Sequence, residues 1–128
     1  MNSLQVSPLS QWREFCKQGL LAYQKDASGN AVFFPRVISP KTGSTELTWC
    51  TSKGLGTVYS VTTMFSKGQP TGNVALVDLD EGFRMLSTIR MNSAELPIVG
   101  MRVQVRFEPA ADDDSVPIPV FVDARERS

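Results

Sequence analysis

The apolar residues of this chain change their rhythm twice. Near the N-terminus, Leu9, Trp12, Phe15 and Cys16 recur at three- and four-residue spacing, which puts them on one stripe of an amphipathic helix. Ser7 is a good N-cap, and Pro8 suits a first helical turn, where a missing N–H costs nothing. Gly19 supplies a C-terminal stop. The pattern predicts a helix over residues 8 to 18. Between residues 20 and 50 the apolar runs shorten. "DASGN" reads as a turn, "AVFFP" as a brief strand and "SPKTGS" as a second turn much like the first.

From residue 54 onward the period is two. "GTVYSVTTMF" is β-branched and aromatic, and "NVALVDLD" alternates into the turn Asp80, Glu81 and Gly82. "FRMLSTIRM" returns as the second arm of a hairpin. In "MRVQVRFE", Val103, Val105 and Phe107 face one way while Arg102, Gln104 and Arg106 face the other. After the acidic loop "ADDDSVP", "IPVFVDA" is a last strand. Five strands without a long helix among them predict a mainly β fold, a small closed five-stranded barrel of the OB type. A five-stranded sandwich fits the same periodicity. The implied organisation is a helical segment over 1–19, a turn-rich segment over 20–50 and a β domain over 51–128.

Composition narrows the chemistry. At 128 residues and 41% hydrophobic content, the chain suits one compact domain with a small appendage. Its 13 basic and 13 acidic side chains cancel, so no net field draws it to nucleic acid or an anionic membrane. It contains no histidine and two widely separated cysteines, Cys16 and Cys50. Histidine-based nucleophile activation is therefore excluded, and a Cys/His zinc site cannot be assembled. The polar N-terminus and the lack of a membrane-length apolar run lead to the expectation of a soluble, cytoplasmic protein.

Several clusters invite a functional reading. "KGLGT", residues 53 to 57, is glycine-rich, but a strand follows it rather than a helix, so a bend is the better reading than a phosphate loop. The acidic sets Asp78, Asp80, Glu81 and Asp112, Asp113, Asp114 sit in turns and lack calcium-ligand order. Arg84 and Arg90 share parity on one predicted strand, and Arg102 and Arg106 on another. Together they form either a phosphate-receiving face or cross-strand ion pairs with Asp78, Asp80 and Glu108, and the ion pairs are favoured. The glycine-rich stretch "SKGQPTG", residues 66 to 72, is expected to be a mobile loop carrying Lys67 towards the usual OB ligand face.

These stretches resemble the acyl-CoA-associated zinc-ribbon/OB-fold family, domain of unknown function thirty-five. "WREFCKQGLL" resembles the family's N-terminal helix. "GLGTVYSVTT", "VALVDLDEGFRMLS" and "GMRVQVRFE" resemble its OB strands. The family's ribbon reads C-x-x-C-G, then F-P-P-R, then C-P-x-C-G. Its four cysteine positions hold Lys25, Ser28, Ser39 and Thr42 here, while Gly29, Phe33, Pro35, Arg36, Pro40 and Gly43 still match. The resemblance implies a degenerate, rubredoxin-like zinc ribbon that keeps its turns and has lost its metal.

Members of the family resemble non-catalytic companions of acyl-CoA enzymes of lipid metabolism, thiolase-type or enoyl-CoA hydratase, whose OB domain helps hold CoA. The expectation is an accessory subunit without catalytic activity, without zinc and with a CoA thioester as possible ligand. Lys67, Arg84 and Arg90, with Tyr59 or Phe65, would meet the phosphates and adenine of CoA. Packing on the domain's own core is favoured for Trp12 and Phe15, and Phe33, Phe34, Leu47 and Trp49 are expected to hold the metal-free ribbon against the helix or barrel. Trp12, Phe33, Phe34 and Trp49 lie in segments too thin to bury them all, so they would also dock the enzyme. The alternative is single-strand nucleic-acid binding on the OB face, which the balanced charge disfavours.

Overall fold

A computed structural model describes residues 7–33, 47–92, 95–109 and 116–126. The helix α1 spans Pro8–Lys17, with the Ser7 hydroxyl accepting from the Ser10 N–H at 3.1 Å. It ends one residue before the predicted limit, and Gln18 forms the C-cap. The 20–50 segment contributes a three-stranded sheet of β1 (Ala22–Lys25), β2 (Ala31–Val32) and β3 (Thr48–Thr51), in the order β2-β1-β3. The predicted strand "AVFFP" is represented by its first two residues, and Phe34 and Pro35 lie outside the described residues.

The remaining strands are β4 (Leu55–Ser66), β5 (Gln69–Leu79), β6 (Arg84–Ser87), β7 (Ile89–Arg90), β8 (Arg102–Glu108) and β9 (Ile118–Asp123), followed by a short 3₁₀ turn. They form a six-stranded sheet ordered β6-β5-β4-β8-β9-β7. The ladders do not close into a ring, so the expectation of a closed barrel is corrected; the five predicted strands are present, the third in two pieces. The reason is local. The third predicted strand divides at Thr88 into β6, which pairs antiparallel with β5, and β7, which pairs parallel with β9. The two sheet edges are thus consecutive pieces of one segment, which gives the partly open Greek-key barrel of an OB-fold.

The side chain of Asn73 holds the division. Its Oδ1 accepts from the Ile89 N–H at 2.8 Å and from the Thr88 hydroxyl at 3.1 Å, and its Nδ2 donates to the Ile89 carbonyl at 2.9 Å. Thr88 in turn offers its carbonyl to the Phe121 N–H at 3.0 Å. One amide stands in for a strand partner at the point where the chain changes neighbours.

The core sits between the sheet walls. Val58, Val77, Val103 and Phe121 are each at most 1% exposed, as their inward alternation requires. At the entry to β4, Gly54 has φ +79° and a side chain there would overlap Val105, so "KGLGT" is the bend the sequence favoured. The stretch 66–72 is not a mobile loop: β4 runs through Ser66 and β5 starts at Gln69. Only Lys67 and Gly68 turn, with φ +54° and +79°. Positive φ at both turn residues matches the twist of the flanking strands, so the hairpin extends as an arm.

Candidate ligand corner and partner surface

Three of the four predicted anchors, Trp12, Phe33 and Trp49, make contacts within the chain, and the fourth, Phe34, lies outside the described residues. Trp12 donates from Nε1 to the Ala22 carbonyl at 3.1 Å and meets Phe33 edge-on, with ring centroids 6.1 Å apart. Phe33 stacks on Phe83 at 5.0 Å, and Phe83 stacks on Tyr23 at 4.8 Å. Trp49 packs on Phe15 at 5.3 Å and donates to Gln11 Oε1 at 2.9 Å. All three of Trp12, Phe33 and Trp49 are half-buried, in keeping with the expected packing of these aromatics on the helix and barrel. Sheet β2-β1-β3 and helix α1 are thin individually, but they share their aromatics with the barrel.

The five candidate CoA residues do not converge. Tyr59 and Arg84 meet: the Arg84 guanidinium lies 3.5 Å from the Tyr59 ring centroid, a cation–π contact. Lys67 and Phe65 lie at the far tip of the β4–β5 arm, Phe65 next to the turn. Arg90, on β7, is bonded to Glu108 at 3.1 Å.

All four arginines singled out from the sequence are paired. Arg84 bonds Asp78 through two nitrogens, and Arg102 chelates Asp80 with both distances 2.8 Å. Arg90 and Arg106 share Glu108. Hydrogen bonds from Arg102 hold the Asp80 carboxyl below its ordinary range, and those from Arg90, then Arg106, do the same for Glu108. These pairs are largely exposed, so each adds little stability. What they change is the field: the strand face is neutralised.

The Tyr59–Arg84 corner has a concavity beside it. Asp78, Leu79, Gly82, Phe83 and Arg84 line a depression of about 450 Å³, within the size range of small-molecule sites. One Tyr59 face carries Arg84, and the residue remains 51% exposed, which leaves an aromatic surface for a flat ligand.

Neither the Cys16 thiol nor, among the described residues, a metal cluster competes with this corner. Cys16 is fully buried, and desolvation pushes its thiol up to about 11, which makes it a poor nucleophile or ligand. Among the described residues no three of His, Cys, Asp and Glu gather as a metal site. The first ribbon turn does not fit zinc. Lys25 and Ser28 offer no zinc-type donor, and the Asp26 carboxylate between them is already used. It accepts from the Ser28 and Asn30 N–H groups at 3.0 and 2.9 Å and from the Asn30 amide. Ser39 and Thr42 lie outside the described residues. The expected result is less than about one-tenth equivalent of zinc in pure protein, with melting unchanged by chelator. A stoichiometric metal content in elemental analysis would overturn it.

Sequence reading missed Asn73 and Asp26. "DASGN" signalled a turn without showing which side chain would organise it. A lone asparagine leading into "VALVDL" was the one available sign of Asn73.

The comparisons with known proteins fall on the same architecture. Residues 49–108 match the family model described as "ChsH2, C-terminal OB-fold domain". Over 97% of its length the chain superposes on 97% of a chain from the solved "Ltp2-ChsH2(DUF35) aldolase", with a TM-score of 0.76 and 27% sequence identity. No curated protein matches the sequence. Residues 49–108 thus match the OB-fold of the ChsH2 C-terminal domain, consistent with the resemblance to domain of unknown function thirty-five. Among the described residues, no helix is long and apolar enough to cross a membrane.

Proposed function

We propose that this protein is a non-catalytic accessory subunit of a cytoplasmic acyl-CoA enzyme, of aldolase or thiolase type, and helps to position the CoA thioester. The observation that carries the reading is the similarity over 97% of both chains to a component of an Ltp2-ChsH2 aldolase. The OB model named for ChsH2 ties the matched chain to the ChsH2 side of that pair. The chain lacks histidine, Cys16 is buried, and Asp78, Asp80 and Glu108 are bound to arginines, so none of these groups is a poised acid or base.

In this reading the ligand role falls to the Tyr59–Arg84 corner. The outer Tyr59 face takes the adenine, and Arg84, shared with Asp78, meets a phosphate oxygen. Lys67, Phe65 and Arg90 are too dispersed to complete the same site. The alternative of single-strand nucleic acid loses ground for a specific reason: phosphates would have to displace a carboxylate from each of the four arginines.

The test uses the full chain mixed with purified acyl-CoA aldolase and thiolase-type enzymes from the same source, followed by size-exclusion analysis and turnover assays. The expected outcome is a stable complex with one of them and no turnover by the lone protein. Tyr59→Ala combined with Arg84→Gln should weaken CoA binding about tenfold. Unchanged CoA binding would remove the ligand role and leave the partnership. Failure to bind any such enzyme, with micromolar binding of single-stranded nucleic acid in physiological salt, would overturn the reading.

A further inference from the structure

Among the described residues, one edge of the β4–β5 arm is uncovered. Strand β8 pairs with β4 only from Leu55 to Thr57. The loop before β8 extends that cover by one residue, through Val58 N–H to the Met101 carbonyl at 3.0 Å and Gly100 N–H to the Val58 carbonyl at 2.9 Å. Tyr59 then occupies a register shift. From Ser60 to Ser66, among the described residues, β4 pairs with β5 alone. The opposite edge of the arm is guarded, because Pro70 lacks a donor and Asn73 turns its amide to Ile89.

The sequence of this edge lacks the usual guards, although the β4–β5 ladder shifts register a second time between Met64 and Phe65. Residues 57 to 66, "TVYSVTTMFS", contain no charge, no proline and no glycine. Exposed edges normally carry such residues because free N–H and C=O groups invite another strand. Met64 and Phe65 add 43% and 56% exposed apolar side chains at the same place. A row of main-chain donors and acceptors on a strand edge is satisfied in register by another extended backbone.

We propose that the Ser60–Ser66 edge of β4 pairs antiparallel with the same edge of a second copy of this chain, joining two arms into one continuous sheet across a two-fold axis. Homotypic pairing covers both free edges in one step, as an isologous interface must. In such a pair each side chain faces another from the same segment, so any charge would meet a like charge; here there is none to repel. A two-fold centred on Thr62 brings Thr62 against its copy, Val61 against Thr63 and Ser60 against Met64, β-branched and apolar pairs that suit neighbouring strands. The pairing is independent of the enzyme partnership, since it uses main-chain groups of the arm edge and none of Trp12, Phe33 and Trp49.

The experiment is sedimentation analysis of the full chain from low to high micromolar concentration, with amide exchange followed by NMR on the same samples. The expected result is a dimer in which alternate amides between Ser60 and Ser66 gain protection as concentration rises. Thr62→Lys, at an exposed position where folding is checked by an unchanged melt, should raise the dimer Kd about tenfold or more. Thr62→Val should leave the dimer intact. A monomer throughout the range, or a dimer indifferent to Thr62→Lys, overturns the proposal. Protection that appears only on adding an enzyme overturns it too, and assigns the edge to that enzyme.

Discussion

Phe83→Ala is expected to cost about 4 kcal/mol of folding stability, the largest effect of any single truncation considered. Phe83 is 6% exposed and is the middle ring of a three-ring stack, with Tyr23 of β1 on one side and Phe33 after β2 on the other. The ring belongs to the β5–β6 turn of the barrel, and its neighbours belong to the small sheet. Deleting it opens a cavity at the junction and removes two aromatic contacts there, so neither unit can close the gap alone. A domain of this size has roughly 5–15 kcal/mol in total, so the variant should melt early. Urea unfolding is the check. Phe83→Leu should recover more than half of the loss, whereas a cost under about 1 kcal/mol for the alanine would mean the junction does not bind the two units.

That junction also shows what a sequence can and cannot disclose. Periodicity placed the barrel strands well, because alternation in "MRVQVRFE" and "NVALVDLD" reports directly on which face is buried. It placed α1 within one residue because Ser7 and Pro8 are local signals. It also favoured pairing of the arginines with Asp78, Asp80 and Glu108, which the structure shows. Periodicity carries no information on partners distant in the chain. Trp12, Phe33 and Trp49 look surplus when each segment is weighed alone, yet their rings meet Phe33, Phe83 and Phe15, respectively. Packing on the helix or barrel is expected from the sequence, but which ring meets which is decided by tertiary neighbours, and those leave no local mark.

The candidate ligand corner was half legible for the same reason. Tyr59 and Arg84 were both named, but the register shift between Val58 and Ser60 accompanies the meeting of Tyr59 with Arg84, and a shift of register leaves no mark on an alternating pattern. The turn at Lys67–Gly68 was read as part of a loop because glycine and proline cluster there. Strand pairing overrode that local chemistry. Pro70 is tolerated because it lies in the outer part of the arm, beyond the Ala75–Asp78 stretch where β6 pairs.

Asn73→Ala is expected to cost about 3 kcal/mol, and its effect should be concentrated at one seam. The side chain supplies an acceptor to the Ile89 N–H and a donor to the Ile89 carbonyl, and Ile89 is only 2% exposed. Truncation leaves both backbone groups without these bonds in a site water does not readily reach, at about 1–3 kcal/mol for each unsatisfied group. Asn73→Asp retains the acceptor but loses the amide donor, so it should fall between wild type and alanine. Amide exchange distinguishes this from general destabilisation. In Asn73→Ala the Ile89 and Phe121 amides, which follow one another across the seam through Thr88, should lose protection well before Val77 and Val103 do. Uniform loss across the barrel would show that Asn73 contributes only to overall stability. Preferential loss at β7 and β9 would establish that one amide joins the two edges of the sheet, and with them the barrel that carries the Tyr59–Arg84 corner.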